Sequence, residues 1–152
     1  MLIHNQIIEY RFIIKVFYKS QETWREATDY LRCNPLFYGE PRYDHVLLPT
    51  EDRDIFAKLL FVFSISVRGT DYPCIMVKPL DGEVVAENRD KDLGLYRVSP
   101  GIRPMTLLPA TQIIRGALVV PDYAQTGDFF VVDTDPDMFC RLSSLRDTHF
   151  GL

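Results

Sequence analysis

The stretch from Phe56 to Val67 restricts the fold more than any other part of the chain. Phe61, Phe63, Ile65 and Val67 recur at every second position, with Ser64, Ser66 and Arg68 on the alternate ones. That alternation is the period of a half-buried strand, whereas a helix would scatter the four apolar side chains around its circumference. Arg68-Gly69-Thr70-Asp71 then reads as a hairpin turn into a return strand, Tyr72–Val77. A chain committed to so long a strand must build a sheet and find something to cover it.

The remaining pattern extends that theme. Ile7, Ile8, Tyr10, Phe12, Ile13, Ile14, Val16 and Phe17 make a β-rich opening. Tyr43–Leu48 is a strand closed by Pro49, and Glu51–Asp54 is an acidic turn. Pro79–Asp92 is polar and reads as a surface loop. Leu93–Val98 and Met105–Leu108 are short strands around the turn Ser99–Pro104. Thr111–Val120 is strongly β, with Gly116 marking a bulge or a close approach of neighbouring chain, and Phe129–Asp133 is the last strand. Asp137–Leu142 reads as a short helical turn.

One segment reads as a longer helix, Gln21–Arg32. Trp24, Ala27, Thr28 and Leu31 lie at i, i+3, i+4 and i+7, Ser20 is placed to cap, and Asn34-Pro35 is placed to stop. Trp24, the sole tryptophan, is expected to anchor this helix on the sheet. The predicted fold is therefore mostly β (α+β): a bent antiparallel sheet or small barrel with one N-terminal helix over 21–32 packed on it. We expect one domain over 1–152, with an N-terminal strand within 1–19, a core over 20–142 and a tail over 143–152.

Composition narrows the function classes. A net charge of −4 argues against a broad electrostatic grip on nucleic acid, which needs clustered Lys and Arg, although net charge says nothing of local patches. Three widely spaced cysteines, Cys33, Cys74 and Cys140, fit free thiols in a reducing compartment. Glu9, Arg11 and Lys15 interrupt the apolar N-terminus, so no signal-peptide core forms, and no apolar run reaches membrane-spanning length. The expectation is an intracellular chain without a membrane partner.

No catalytic signature emerges. Asp133, Asp135 and Asp137 alternate like the start of a calcium loop, but Met138 stands where the sharp turn needs Gly and Ser144 where a closing Glu belongs. The same residues contain a DxD without a nucleotide-binding βαβ frame. The simpler reading has these carboxylates ending a strand, with Asp135 capping a short helix that starts at Pro136. His4, His45 and His149 lie far apart, and Cys33 or Cys140 with His45 makes only a chance nucleophile–base pairing. We expect no enzyme activity, no metal and no cofactor. For binding, Arg32, Arg42, Arg97, Arg103, Arg115 and Arg141 lie beside aromatic or apolar residues, and Tyr38, Tyr43 and Tyr96 are placed to stack on bases.

Several blocks are familiar as an ordered set: Asp29-Tyr30-Leu31-Arg32-Cys33-Asn34-Pro35, Phe37-Tyr38-Gly39-Glu40-Pro41-Arg42-Tyr43-Asp44, Asp92-Leu93-Gly94-Leu95-Tyr96-Arg97-Val98, Ile113-Ile114-Arg115-Gly116-Ala117, and Asp128-Phe129-Phe130-Val131-Val132-Asp133. Over residues 16 to 142 this order resembles an uncharacterised domain of mushroom-forming fungi that is often encoded in or beside transposon-like reading frames. Tyr43–Leu48, Phe56–Phe61 and Tyr72–Pro79 are also similar in layout to bromo-adjacent-homology (BAH) domains, β modules of chromatin proteins. These resemblances imply a non-enzymatic interaction module for protein or chromatin in a mobile-element context, nuclear rather than cytoplasmic. The alternative is a nucleic-acid-binding β domain. Tyr38, Tyr43, Arg42, Tyr96, Arg97 and Arg115 are the expected binding residues, and the N-terminal strand is the expected route to a homodimer.

Overall fold

A computed structural model describes residues 7–10, 13–82 and 84–150, with side chains for 13–82, 84–85 and 87–145. His4 and the side chain of His149 fall outside the described residues. The chain opens with a four-stranded antiparallel meander, β1 (Ile7–Tyr10), β2 (Ile13–Lys19), β3 (Glu26–Phe37) and β4 (Glu40–Tyr43). A second antiparallel sheet follows, from β5 (His45–Pro49), β6 (Asp54–Val67), β7 (Thr70–Asp81), β8 (Tyr96–Pro100), β9 (Thr106–Pro109), β10 (Arg115–Ala117), β11 (Val119–Pro121) and β12 (Phe129–Val131). Its order is β10-β5-β6-β7-β8-β12-β11, with β9 added to β7, and it stays open rather than closing into a barrel. A single α-helix, α1 (Pro136–Phe150), ends the described chain.

The central strands explain the layering. Val46, Leu47 and Leu48 are all buried although consecutive side chains point to opposite faces, so β5 is covered on both sides. Val46 and Leu48, with Ala57, Leu59, Ile75 and Val77, meet Ile14, Val16, Leu31 and Cys33 of the first sheet. Leu47 and Phe56 face the other way, onto Tyr96, Val98, Val131 and the α1 residues Met138 and Leu142. The molecule is thus three layers: first sheet, second sheet, helix.

The helix lies at the opposite end of the sequence from its expected place. Residues 21–32 instead form a turn and most of β3. Ser20 does cap: its Oγ accepts from the amides of Glu22 and Thr23 at 3.2 and 3.3 Å. The turn stops because Trp24 takes φ 60°, which no right-handed helix accommodates. From Glu26 on, Leu31 and Cys33 face inward while Thr28 and Tyr30 face outward, and seven registered pairs with β2 override a weak helical pattern. Trp24 is 70% exposed and anchors nothing. Pro35 falls where the β3–β4 register shifts, a position that needs no ladder N–H. Asp135 caps α1 as expected, its Oδ1 accepting from the Met138 amide at 3.0 Å, but the helix runs on to Phe150 through the expected tail.

The β6–β7 hairpin turns at Arg68-Gly69, both with positive φ (52° and 78°), the geometry of a two-residue primed turn. Phe61, Phe63, Ile65 and Val67 do share a face. It is turned away from the first core, where Val62 packs instead, because Leu60 is inserted between the pairs Leu59↔Val77 and Phe61↔Met76. Phe61, Ile65, Val67 and the cross-strand Tyr72 and Leu107 are therefore exposed.

Gly116 of β10 is a close approach. A Cβ there would lie 2.5 Å from Leu31 Cδ2 and 3.1 Å from Asp29 Oδ2, so the two sheets touch through a missing side chain. Gly116→Ala is expected to lose about 1–3 kcal/mol in urea unfolding, and adding Leu31→Val should recover part of it. Independent, additive losses in that double variant would contradict the contact.

Candidate nucleic-acid interface

The expected binding residues separate into three groups. Tyr96 is 2% exposed and belongs to the second core, with Arg89 over its ring at 5.0 Å. Tyr43 packs against the first core. Arg97 pairs with Asp122, Asp90 and Asp128 and lies over the Phe130 ring at 4.7 Å. The hydrogen bond that Arg97 donates to Asp122 is the main cause of the raised Arg97 pKa, and the Asp122 carboxyl is lowered in return. These residues hold the fold rather than a partner.

Arg115 is the most deeply committed. Its guanidinium is buried, with Nη1 2.7 Å from Asp137, Nη2 2.6 Å from Asp135, and Nε donating to the Gly116 carbonyl and 3.7 Å from Asp29. Arg141 donates to Asp137 at 2.8 Å and to the Lys19 carbonyl at 2.9 Å. Burial works against charge throughout this cluster. In Asp135 and Asp137 the arginine hydrogen bonds outweigh it and hold both carboxyls below their usual range, whereas burial wins at Asp29 and raises it. The suggestive Asp run thus gathers around two guanidinium groups. Asp133 turns aside to Arg89 at 3.3 Å, and among the described residues no set of three or more metal-ligating side chains is assembled. Replacing Arg115 by Met, which leaves Asp29 and Asp135 without their cation and Asp137 with Arg141 alone, is expected to cost about 3–5 kcal/mol in denaturant unfolding. A neutral outcome would show the cluster to be ornamental.

Cys33 and His45 are both unsuited to nucleophilic chemistry. Burial pushes the Cys33 thiol up to about 11 and holds the His45 imidazole down at about 4. His45 Nε2 is buried without a hydrogen-bond partner. The imidazole is thus neutral in the fold and takes up a proton only on unfolding, so stability is complete above pH 6.5 and declines as pH falls toward 4. Between pH 7 and 5 the loss should be about 1–2 kcal/mol, and His45→Gln should flatten that stretch of a Tm-versus-pH curve. An unchanged slope in the variant would assign the acid sensitivity elsewhere.

Arg42 and Tyr38 lead somewhere different, to the outer face of the first sheet. Register places Lys15 opposite Tyr30, Phe17 opposite Thr28, Lys19 opposite Glu26 and Arg42 opposite Asn34, all on the face turned away from the core. Cations and rings interleave there. Lys15 Nζ lies 4.8 Å from the Phe17 ring and 5.5 Å from the Tyr30 ring, and Lys19 Nζ lies 5.6 Å from Trp24. Arg32 and Arg42 lie 5.7 and 5.0 Å from the Phe37 ring, whose edge-to-face neighbour at 4.6 Å is Tyr38. Tyr38 and Gly39 form the primed turn that holds this tip, and Tyr38 is 93% exposed.

Four cations, Lys15, Lys19, Arg32 and Arg42, therefore share a face with three carboxylates, Glu26, Glu40 and Asp44, in a chain whose net charge is −4. Arg42 is steadied by Asp44 at 3.2 Å. Lys15, Lys19, Phe17, Tyr30 and Phe37 were not among the expected binding residues. Their signal was a period-two alternation across β2 and β3, hidden by reading 21–32 as helix. No protein-family model, curated protein or solved structure matches the chain.

Proposed function

We propose that the protein is a non-enzymatic interaction module that holds single-stranded nucleic acid on the outer face of its first sheet. The observation that carries this reading is the interleaving of Lys15, Lys19, Arg32 and Arg42 with Phe17, Tyr30, Phe37 and Tyr38 on one exposed sheet face. Single-strand readers combine those two elements: rings on which any base stacks, and cations that follow the phosphates. The acidic net charge is no obstacle, because carboxylates elsewhere are consumed by Arg97 and Arg115 while this face keeps its positive excess. A mobile-element setting, implied by the ordered sequence blocks, fits such a partner.

The chromatin reading fares less well on the same geometry. Histone tails are cationic, and a face carrying four cations repels them. Tyr43 and Tyr96, expected among the binding residues for either partner, pack against the cores.

Fluorescence anisotropy with labelled single-stranded DNA and RNA oligomers over a salt series tests the proposal. Binding should weaken with salt, and Lys15→Ala or Arg32→Ala should each lower the log–log salt slope by about 0.7. Tyr30→Ala should cost about 1–3 kcal/mol of affinity, while Arg103→Ala, beyond this face, should change nothing. Absence of oligomer binding at low salt sinks the proposal. So does binding of histone peptides or nucleosomes that these same substitutions abolish.

A further inference from the structure

The turn that ends β2 borders a cleft at one end of the nucleic-acid face. Its volume is about 730 Å³, within the range of small-ligand pockets. Pro49, Ile113 and Ile114 give it an apolar wall, and Glu51, Thr111 and Gln112 add polar groups. Lys19 and Trp24 line it as well, so it adjoins one end of the cation–aromatic face.

Trp24 is the unusual residue. A bulky side chain at φ 60° is strained, and such strain persists only where surrounding structure dictates it. Here the turn is tied four times. The Trp24 amide donates to the Ser20 carbonyl at 3.0 Å, the Ser20 amide to the Arg25 carbonyl at 2.9 Å, and Ser20 Oγ accepts twice. Burial does not repay that strain, since the indole is 70% exposed. A glycine would hold the same turn at no conformational cost. What tryptophan adds is an exposed ring on the rim of a cleft.

We propose that this cleft binds one nucleotide of the strand, with the base stacked on Trp24, its edge met by Glu51, Thr111 and Gln112, and its phosphate met by Lys19. The proposal rests on the single-strand reading above and extends it from stacking to a defined base site. Amide, hydroxyl and carboxylate together supply the donors and acceptors that a base edge presents. Tyr18 also lines the cleft.

Trp24 is the sole tryptophan, so its emission reports directly on the site. Titration with AMP, GMP, CMP and UMP should give a saturable change with at least one of them at concentrations up to about 5 mM. Gln112→Ala should alter the relative affinities of the four. Trp24→Gly, followed by anisotropy of a fluorescent nucleotide, should lose at least about tenfold in affinity while Tm stays level or rises. Oligomer binding without a saturable response to any monophosphate overturns this inference and leaves the single-strand face standing. Monophosphate binding without oligomer binding overturns the single-strand reading, and with it the placing of a strand's nucleotide in the cleft. A fall in Tm for Trp24→Gly would make the residue structural and also overturn it.

Discussion

Three layers of this molecule meet at one guanidinium group. Arg115 leaves β10 of the second sheet, contacts Asp29 of the first, and lies against Asp135 and Asp137 at the start of α1. Asp137 is shared further, taking hydrogen bonds from Arg141 and from the Gln21 amide at 2.6 Å. Two arginines against three carboxylates, tied also to backbone groups of three layers, leave little tolerance for loss of any member. Apolar packing holds the layers together, and this cluster sets how they are oriented, because hydrogen bonds are directional where dispersion is not. The Ser20–Arg25 turn is attached to the same cluster through Gln21, so the strained Trp24 inherits its placement from it.

Much of the second sheet was legible because its information is local. The alternation of Phe56–Val67 and the Arg68-Gly69 dipeptide specify a strand and its turn without reference to distant residues. The cap at Asp135 with Pro136 behind it is equally local. The first sheet was harder to read, since residues 21–32 satisfy a helical period and an alternating one together. Only pairing with β2 chooses between them, and that choice is tertiary. The Ser20 cap was read correctly, but a cap starts a turn without guaranteeing its propagation.

The same ambiguity concealed the candidate site. Arg97 and Arg115 stand out as basic residues beside aromatic or apolar ones, yet each is matched with carboxylates brought in from far along the chain, Asp122 for one and Asp135 and Asp137 for the other. Sequence proximity to an aromatic residue does not distinguish an arginine that binds from one that is already bound. The lysines of β2 are inconspicuous in sequence because the apolar residues around them read as core. Once β2 and β3 are set in register, Lys15 and Tyr30 stand side by side.

The insertion of Leu60 has a consequence for how such a chain can vary. Strand polarity is a matter of phase, and one extra residue has reversed it for the whole distal half of β6. Removing that residue would move Phe61, Phe63, Ile65 and Val67 together to the face that Ser64 and Ser66 now occupy, and those serines to theirs. An insertion or deletion of one codon at this point would thus exchange the apolar and polar faces of the strand in a single event, with every other letter of the strand unchanged.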